Sequence, residues 1–208
     1  MARKTDQHRR IVEATLGLAA ERGWRSLTMA EIATAAGVPL AGLYAAFPSK
    51  GAILAGLARS VDEAMLEAAG ETAGEAAGGG EAEETARDRL FDVVMRRFDA
   101  LAPHREGLRR IIRDLPGDPA TALSVAPRLS RSMAWTLEAA GIPAGGWRGL
   151  LRVQGLAAVY AATFRTWLAD DSPDLSRTMA DLDGRLRRAE RLLAGLPRRR
   201  RHEPGPAA

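Results

Sequence analysis

Apolar residues along this chain recur three and four positions apart, with polar and charged residues between them. This spacing lines apolar side chains along one face of an α-helix, and nowhere does the alternation typical of a strand persist. The stretch before Pro103 is a clear case and predicts an amphipathic helix of about 20 residues. Its apolar positions are Leu90, Phe91, Val94, Met95, Phe98 and Leu101. The whole pattern predicts an all-α protein of about nine helices.

Proline and glycine residues separate the predicted helices. The fourth helix should run from about Lys50 to Leu66 and fray toward Gly70. A glycine-rich joint at 77–80 follows, because glycine disfavours helix. Pro127 is expected to end one helical turn and to begin the next helix.

The last two helices are predicted from about Trp147 to Ala169 and from Pro173 to Leu196, the second capped by Ser172. A leucine-rich stripe follows one face of the last helix: Leu175, Met179, Leu182, Leu186, Ala189, Leu193 and Leu196. Two interpretations of the stripe stay open, packing within the chain and contact with a second copy of it.

Residues 27–50 predict two short helices joined by a sharp turn. Thr28 and Glu31 have the spacing of a capping box, in which the hydroxyl and the carboxylate each accept a backbone N–H. Gly37 supplies the turn, and Pro39 suits the first position of the next helix, because its missing N–H has no helical partner there. Two such helices form a helix-turn-helix, whose second helix fits the major groove of DNA.

This segment resembles the DNA-binding segment of TetR-family transcriptional regulators. The matching residues are Thr28, Ile32, Ala33, Ala36, Gly37, Val38, Leu43, Tyr44, Phe47, Ser49 and Lys50, with Ile11 to Ala14 and Gly23-Trp24 before them. The resemblance implies a three-helix head at 1–50, a fourth helix at 50–70 that links it onward, and a helical ligand-binding and dimerisation body at 51–196. It also implies a ligand-responsive repressor that binds a double-stranded DNA operator as a homodimer. Two copies also suit this function because one helix-turn-helix reads too few base pairs.

The predicted recognition helix lacks most of the side chains that read bases. Six positions have no hydrogen-bonding side-chain group: Pro39, Leu40, Ala41, Gly42, Ala45 and Ala46. Direct readout needs donors and acceptors such as those of Arg, Asn or Gln. Phosphate contacts remain available from polar residues and from the basic, flexible start of the chain. The predicted DNA-binding residues are Arg3, Lys4, Arg9, Arg10, Thr28, Pro39, Leu40, Ala41, Gly42, Tyr44 and Lys50.

Charge is distributed unevenly along the chain. Residues 1–59 carry 8 Lys and Arg against 4 Asp and Glu, whereas residues 60–99 carry 4 against 11. A basic head favours contact with the DNA backbone. The tail at 197–208 contains four consecutive arginines. It is expected to be disordered and to add non-specific attraction to DNA or to an anionic membrane surface.

Large, partly amphipathic side chains on the body helices predict a binding site for a small hydrophobic or lipid-like effector. An apolar pocket with a few polar groups is the usual form of such a site. The predicted ligand-binding residues are Met95, Phe98, His104, Met133, Trp135, Gln154, Tyr160, Thr163, Phe164 and Trp167. For any one of them, core packing is the alternative interpretation.

A second resemblance lies in the C-terminal part. The stretches 159–163 and 167–174, followed by Thr178 and Leu182-Asp183, resemble the lipid-binding accessory proteins of coenzyme Q biosynthesis. Those proteins resemble TetR regulators in fold and bind isoprenoid lipid. The resemblance implies an alternative function, a TetR-like lipid or isoprenoid carrier with reduced or no DNA binding, which the poor recognition helix also favours.

Several classes of function are not expected. The chain has no cysteine, and its histidines at 8, 104 and 202 are too scattered to predict a metal site or a catalytic pair. We therefore expect neither an enzyme nor a bound cofactor. Asp170, Asp171 and Asp174 cluster at a predicted helix junction, where acids stabilise the next helix. Without an apolar run of about 18 residues or a signal peptide, we expect a cytoplasmic protein with no stable membrane insertion.

Overall fold

A computed structural model describes residues 2–76 and 85–194, and within these ranges the chain forms nine α-helices. They are α1 (Ala2–Arg22), α2 (Met29–Ala35), α3 (Leu40–Ala46), α4 (Lys50–Ala76), α5 (Ala86–Leu101), α6 (Arg105–Asp114), α7 (Pro119–Ala139), α8 (Gly146–Leu168) and α9 (Ser176–Ala194). Short 3₁₀ turns at Ala102–His104 and Leu115–Gly117 flank α6. The described ranges contain no strand, and the predicted all-α class is confirmed.

The turns that join α1, α2 and α3 depend on two glycines. Gly23 follows α1 with φ +81°, and Gly37 separates α2 from α3 with φ +63°. Glycine adopts this left-handed region without the steric cost that a Cβ would bring. α2 and α3 are bent by 104° relative to each other, and each contributes a fully buried side chain to the core, Ile32 from α2 and Leu43 from α3. The predicted helix-turn-helix is therefore present.

The remaining helices surround a core in which aromatic side chains are prominent. α4 lies along α7, α8 packs against α7 and α9, and α1 contacts α6. Phe98 of α5 stacks on Tyr160 and Trp167 of α8, with ring centroids 5.3 and 5.5 Å apart. Phe98 and Trp167 are fully buried, and burial of an apolar side chain of this size stabilises the fold by about 1.5–3 kcal/mol.

Pro127 lies inside α7, and the prediction that it begins a helix is wrong. A proline in a helix interior removes one backbone hydrogen bond and costs about 3 kcal/mol. Met133 and Leu137 of the same helix are buried in the core. The free energy gained by packing these side chains therefore outweighs the cost of the proline to the helix. The fourth helix also runs beyond Gly70, to Ala76.

α9 begins at Ser176, so the predicted start at Pro173 is wrong. Leu175 just before it has φ +53°, which interrupts the helical backbone. The cap is not Ser172 either, because the N–H of Thr178 donates to the carboxylate of Asp170 over 2.8 Å. Asp174 accepts the N–H of Ser176 over 3.1 Å, so two carboxylates satisfy N–H groups at this helix start.

Within the described ranges, no single helix has both the length and the apolar character needed to cross a membrane. The bent pair α2–α3 has the necessary length and apolar composition only when its two helices are counted together. The glycine-rich joint at 77–80 and the basic tail at 197–208 lie outside the described residues, as do the side chains of Arg3 and Lys4. The backbone of Arg3 and Lys4 belongs to α1, which begins at Ala2 and not after a flexible start.

Candidate DNA-binding surface and ligand cavity

α3 presents an exposed face built almost entirely of apolar atoms. Leu43 is fully buried and anchors the helix, whereas Leu40 is 53% exposed and Tyr44 is 70% exposed. Pro39 and Ala41 are exposed beside them. Along α3 the Tyr44 hydroxyl is the one side-chain group able to form hydrogen bonds. This surface suits apolar contact with bases and a phosphate contact more than readout by hydrogen bonds.

Lys50 lies at the start of α4 with its ammonium group turned toward Trp24. The Nζ atom donates to the Trp24 carbonyl oxygen over 3.1 Å and lies 4.8 Å from the centroid of the indole ring. An ammonium group has three donors. The Trp24 carbonyl takes one of these donors and so holds the ammonium group in place. The predicted phosphate contact of Lys50 therefore depends on the position of Trp24.

Arg9 and Arg10 of α1 have different surroundings. Arg10 Nη2 donates to the carbonyl oxygens of Ala36 and Gly37 over 2.5 and 3.1 Å. These bonds satisfy carbonyl groups at the end of α2 and hold the turn against α1. Arg9 is 69% exposed and pairs on its own helix with Asp6 over 2.5 Å. Arg9 therefore stays accessible to DNA, whereas Arg10 is engaged in the turn.

Thr28 begins α2 and forms the predicted capping box with Glu31. The N–H of Glu31 donates to Thr28 Oγ1 over 3.3 Å, and the N–H of Thr28 donates to Glu31 Oε2 over 2.9 Å. Arg22 adds an ion pair to Glu31 over 2.6 Å. The Thr28 N–H, then the Thr28 hydroxyl and Arg22, lower the pKa of Glu31 to about 2. The carboxylate is thus ionised at neutral pH beside the predicted DNA contacts.

A cavity opens between α4, α5, α6, α7 and α8. Its volume is about 430 Å³, within the range of roughly 300–1,000 Å³ typical of small-molecule sites. Aliphatic and aromatic side chains form most of the wall: Leu54, Leu57, Val61, Leu101, Leu108, Ile111, Ile112, Leu115, Val125, Leu129, Tyr160 and Phe164. The polar lining residues are Arg97, Arg128, Ser132 and Arg165.

One wall of this cavity carries a buried ion pair. Arg97 of α5 is 3% exposed, and its guanidinium donates to Asp62 of α4 over 2.5 Å and to the Ser132 hydroxyl over 2.6 Å. It also lies over the ring of Tyr160, 5.4 Å from the centroid. Asp62 compensates a charge that would be costly to bury alone. This pair is not evident from the sequence, because the two residues lie 35 positions apart in helices that are rich in charge.

Two of the ten predicted ligand-binding residues, Tyr160 and Phe164, line the cavity. The other eight do not: Phe98, Met133, Thr163 and Trp167 are fully buried, Met95 and His104 are partly buried, and Trp135 and Gln154 are exposed. Burial lowers the pKa of His104. The aliphatic lining from α4 and α6 was missed because its helical spacing is the same as that of ordinary core residues.

The end of α6 connects the cavity with the helix-turn-helix. Leu115 and Pro116, just after α6, line the cavity. The flanking Asp114 accepts the backbone N–H of Trp24 over 2.9 Å, and Asp118 accepts the indole N–H of Trp24 over 3.2 Å. One short segment therefore contacts both the cavity and the loop between α1 and α2.

Exposed large apolar side chains occur at the start of α8 and the end of α9. Trp147, Leu150 and Leu151 are 54, 59 and 43% exposed, and Leu192 and Leu193 are 76 and 37% exposed. Leu151 and Leu193 line the same shallow depression together with Arg148 and Arg152, so the two helix ends adjoin. We call the five exposed apolar residues the apolar end patch. Exposed apolar clusters of this kind are typical of interaction surfaces.

The predicted stripe on the last helix divides between interior and surface. Leu182 and Leu186 are buried within the chain, whereas Leu193 is partly exposed. Leu196 lies outside the described residues. Leu182 and Leu186 therefore pack within the chain, whereas Leu193 is left accessible to a second copy.

The acidic cluster lies at the junction of α8 and α9. Asp170 is 2% exposed and accepts hydrogen bonds from Ser172 and Thr178, whereas the Asp171 side chain is 89% exposed. In the part of the chain that the structure describes, no three His, Asp or Glu residues lie close enough together to hold a metal ion.

Comparison with known proteins confirms both resemblances. Residues 11–57 match the family model described as Bacterial regulatory proteins, tetR family. Residues 152–193, which span most of α8 and α9, match the model described as COQ9. No curated protein sequence matches the chain significantly.

Solved structures of TetR regulators share this fold. The TetR transcriptional regulator from Nitrosomonas europaea is 24% identical, with a TM-score of 0.65 over 88% of this chain and 97% of that one. A TetR regulator from Rhodococcus sp. RHA1 is 21% identical, with a TM-score of 0.59 over 91% and 96%. Thermus thermophilus FadR, a TetR-family repressor in complex with lauroyl-CoA, is 23% identical, with a TM-score of 0.53 over 96% and 100%. These TM-scores, all above 0.5, show a common fold.

Proposed function

We propose that this chain is a homodimeric transcriptional repressor of TetR type that acts in the cytoplasm and releases DNA when a small apolar molecule fills its cavity. The observation that carries the proposal is the helix-turn-helix within the tetR-family match at residues 11–57. We retain the division into a head at 1–50, a ligand-binding and dimerisation body at 51–196 and a basic tail at 197–208.

DNA binding is supported by the exposure of the outer face of α3. Tyr44 and Leu40 protrude from it, and Arg9 lies exposed on α1. Because this surface has few base-reading groups, affinity should rest mainly on phosphates and on DNA shape. The expected signature is a steep dependence on salt with modest sequence discrimination.

Effector binding is supported by the cavity of about 430 Å³ and its mainly apolar wall. The Thermus thermophilus FadR structure, which shares the fold, holds lauroyl-CoA. An effector changes DNA affinity only if it binds two conformations with different affinity. The segment from Asp114 to Asp118 suits this coupling, because it borders the cavity and holds Trp24 through two hydrogen bonds.

Dimerisation is supported by the apolar end patch on α8 and α9. Its side chains are exposed in the single chain, and a second copy related by a two-fold axis would cover the same patch on both chains. Two heads joined in this way read two half-sites of an operator.

Mobility-shift titrations with DNA from the region upstream of the protein's own gene test DNA binding. We expect the wild-type protein to shift this DNA, with an affinity that falls steeply as salt rises. Tyr44→Phe, which removes only an exposed hydroxyl, should weaken binding to all sequences about tenfold, as the loss of one hydrogen bond to a charged group predicts. Leu123→Ala on α7, where Leu123 is 75% exposed, is the control and should bind normally.

Absence of any shift at low salt would contradict the repressor and favour the second candidate, a TetR-like carrier of lipid or isoprenoid. The COQ9 match at 152–193 is the observation that favours this candidate. The apolar face of α3 is consistent with it. Binding of lipid without binding of DNA would be its expected behaviour.

A further inference from the structure

We propose that the cavity takes a single-chain anionic amphiphile, with the chain inside and the negatively charged head group held at the mouth by Arg128 and Arg165. The inference rests on the proposed ligand-binding function and adds the charge and the orientation of the ligand. It does not depend on whether the protein binds DNA.

The charge of the lining is one-sided. Three arginines, Arg97, Arg128 and Arg165, line the cavity, and no acidic side chain among the described residues does. The rest of the wall is mainly apolar. Such a site repels a cationic ligand and favours a molecule that combines an apolar chain with a negative charge.

The inner arginine is not the one that takes the head group. Arg97 is almost fully buried and already has the carboxylate of Asp62 at 2.5 Å, with Ser132 as a further partner. A second anion at this point would face the Asp62 carboxylate and lose its own hydration. The buried end of the cavity is therefore electrically compensated and suits an uncharged chain.

The two outer arginines are in the opposite situation. Arg128 on α7 and Arg165 on α8 line the cavity, and both are exposed to solvent. Neither guanidinium group has a hydrogen bond or ion pair with another described residue. Their guanidinium groups can bind a carboxylate or a phosphate through two parallel hydrogen bonds. Their aliphatic stems continue the apolar wall up to the mouth.

Calorimetric titration with four probes of equal chain length tests the inference: dodecanoate, dodecyl phosphate, dodecanol and dodecyltrimethylammonium, each below its micelle concentration. At least one of the two anions should bind about tenfold or more tightly than dodecanol, as hydrogen bonds to a charged group predict. The ammonium compound should bind most weakly. The two anions distinguish a carboxylate head group from a phosphate.

The double variant Arg128→Gln/Arg165→Gln should lose the preference for the anion and keep the affinity for dodecanol. Arg131→Gln is the matched control, because Arg131 is exposed on the same helix but does not line the cavity. Equal binding of dodecanol and both anions by the wild type would overturn the inference while leaving an apolar effector intact. A preference that survives in the double variant, or is lost in the control, would also overturn it. Binding of none of the probes would count against the proposed effector site itself.

Discussion

Asp170 collects four hydrogen bonds on one carboxylate. Its Oδ1 accepts from the N–H and hydroxyl of Ser172 over 3.1 and 2.5 Å, and its Oδ2 accepts from the N–H and hydroxyl of Thr178 over 2.8 and 2.6 Å. The hydroxyl groups of Ser172 and then Thr178 contribute most to holding the pKa of Asp170 well below its usual range. Asp170 thus joins the end of α8 to the start of α9.

Asp170→Asn should destabilise the fold by about 1–3 kcal/mol, because the amide group of Asn cannot accept from two of the four donors. The adjacent Asp171→Asn is the control and should have almost no effect, since that side chain is exposed and pairs only with Arg109 over 3.7 Å. Urea denaturation of both variants at pH 7 measures the difference. Equal destabilisation by both changes would contradict the assigned role.

The same carboxylate predicts a pH dependence of stability. Its pKa is lower in the folded protein than in the unfolded chain, where it is about 3.9. The stabilisation is therefore fully present above pH 4 or so and is lost as the pH falls toward the lower pKa of the folded state. The loss of stability on acidification should accordingly be smaller in Asp170→Asn than in the wild type.

Local sequence predicts a residue's role when its partner is close along the chain. Thr28 and Glu31 are recognisable as a cap from the sequence because the capping box has a fixed spacing of three, and the structure contains this cap. Charge predicts a DNA contact for Arg10, and charge together with the TetR resemblance predicts one for Lys50. The structure places both side chains against backbone carbonyl groups 26 residues away. Only the packing of α1, α2 and α4 creates those partners.

At the scale of whole helices, α1 and α6 meet at a glycine. A Cβ added to Gly107 would lie 2.5 Å from the carbonyl oxygen of Leu16 and 3.2 Å from its Cα. Backbone atoms cannot give way as the tip of a flexible side chain does. Gly107 therefore allows α6 to approach α1, the first helix of the head.

Gly107→Ala should destabilise the protein by about 1–3 kcal/mol through overpacking, despite the higher helix propensity of alanine. Gly17→Ala on α1 is the matched control, because a Cβ there meets no atom within 4 Å. This control should stabilise the protein by up to about 1 kcal/mol. Thermal unfolding followed by circular dichroism gives both values, and a neutral Gly107→Ala would show that the two helices separate easily.

The sequence predicts the all-α class and the helix-turn-helix well. It predicts the exact ends of the helices and the residues that line the cavity less well. The apolar spacing and the breaks at proline and glycine gave the all-α class and the helix-turn-helix. Pro127 was misassigned because its local cost is visible in the sequence, whereas the packing of α7 along α4 is not. The cavity lining was mostly missed for the same reason, since Leu54 or Ile111 has the pattern of any core residue.

At the scale of the whole molecule, the apolar end patch is the feature that a single chain leaves unexplained. Leu150 and Leu192 are 59 and 76% exposed, so each keeps apolar surface in water that a partner would cover. Burial of such surface contributes roughly 25 cal/mol per Å². The COQ9 match at 152–193 includes Leu192 but not Leu150.

Leu150→Arg should convert the proposed dimer into a folded monomer. It introduces a charge that the free chain tolerates at an exposed site and that a buried symmetric interface does not. Leu123→Arg, at a site on α7 that is 75% exposed, is the control and should remain dimeric. Sedimentation velocity at micromolar concentration measures the mass, and circular dichroism shows whether the helices persist.

A wild-type monomer would contradict the proposed homodimer, whereas a dimeric Leu150→Arg would show that the interface lies elsewhere on the chain. If the monomer also loses DNA binding while the control keeps it, the two heads act together, since one helix-turn-helix reads too few base pairs to hold an operator alone.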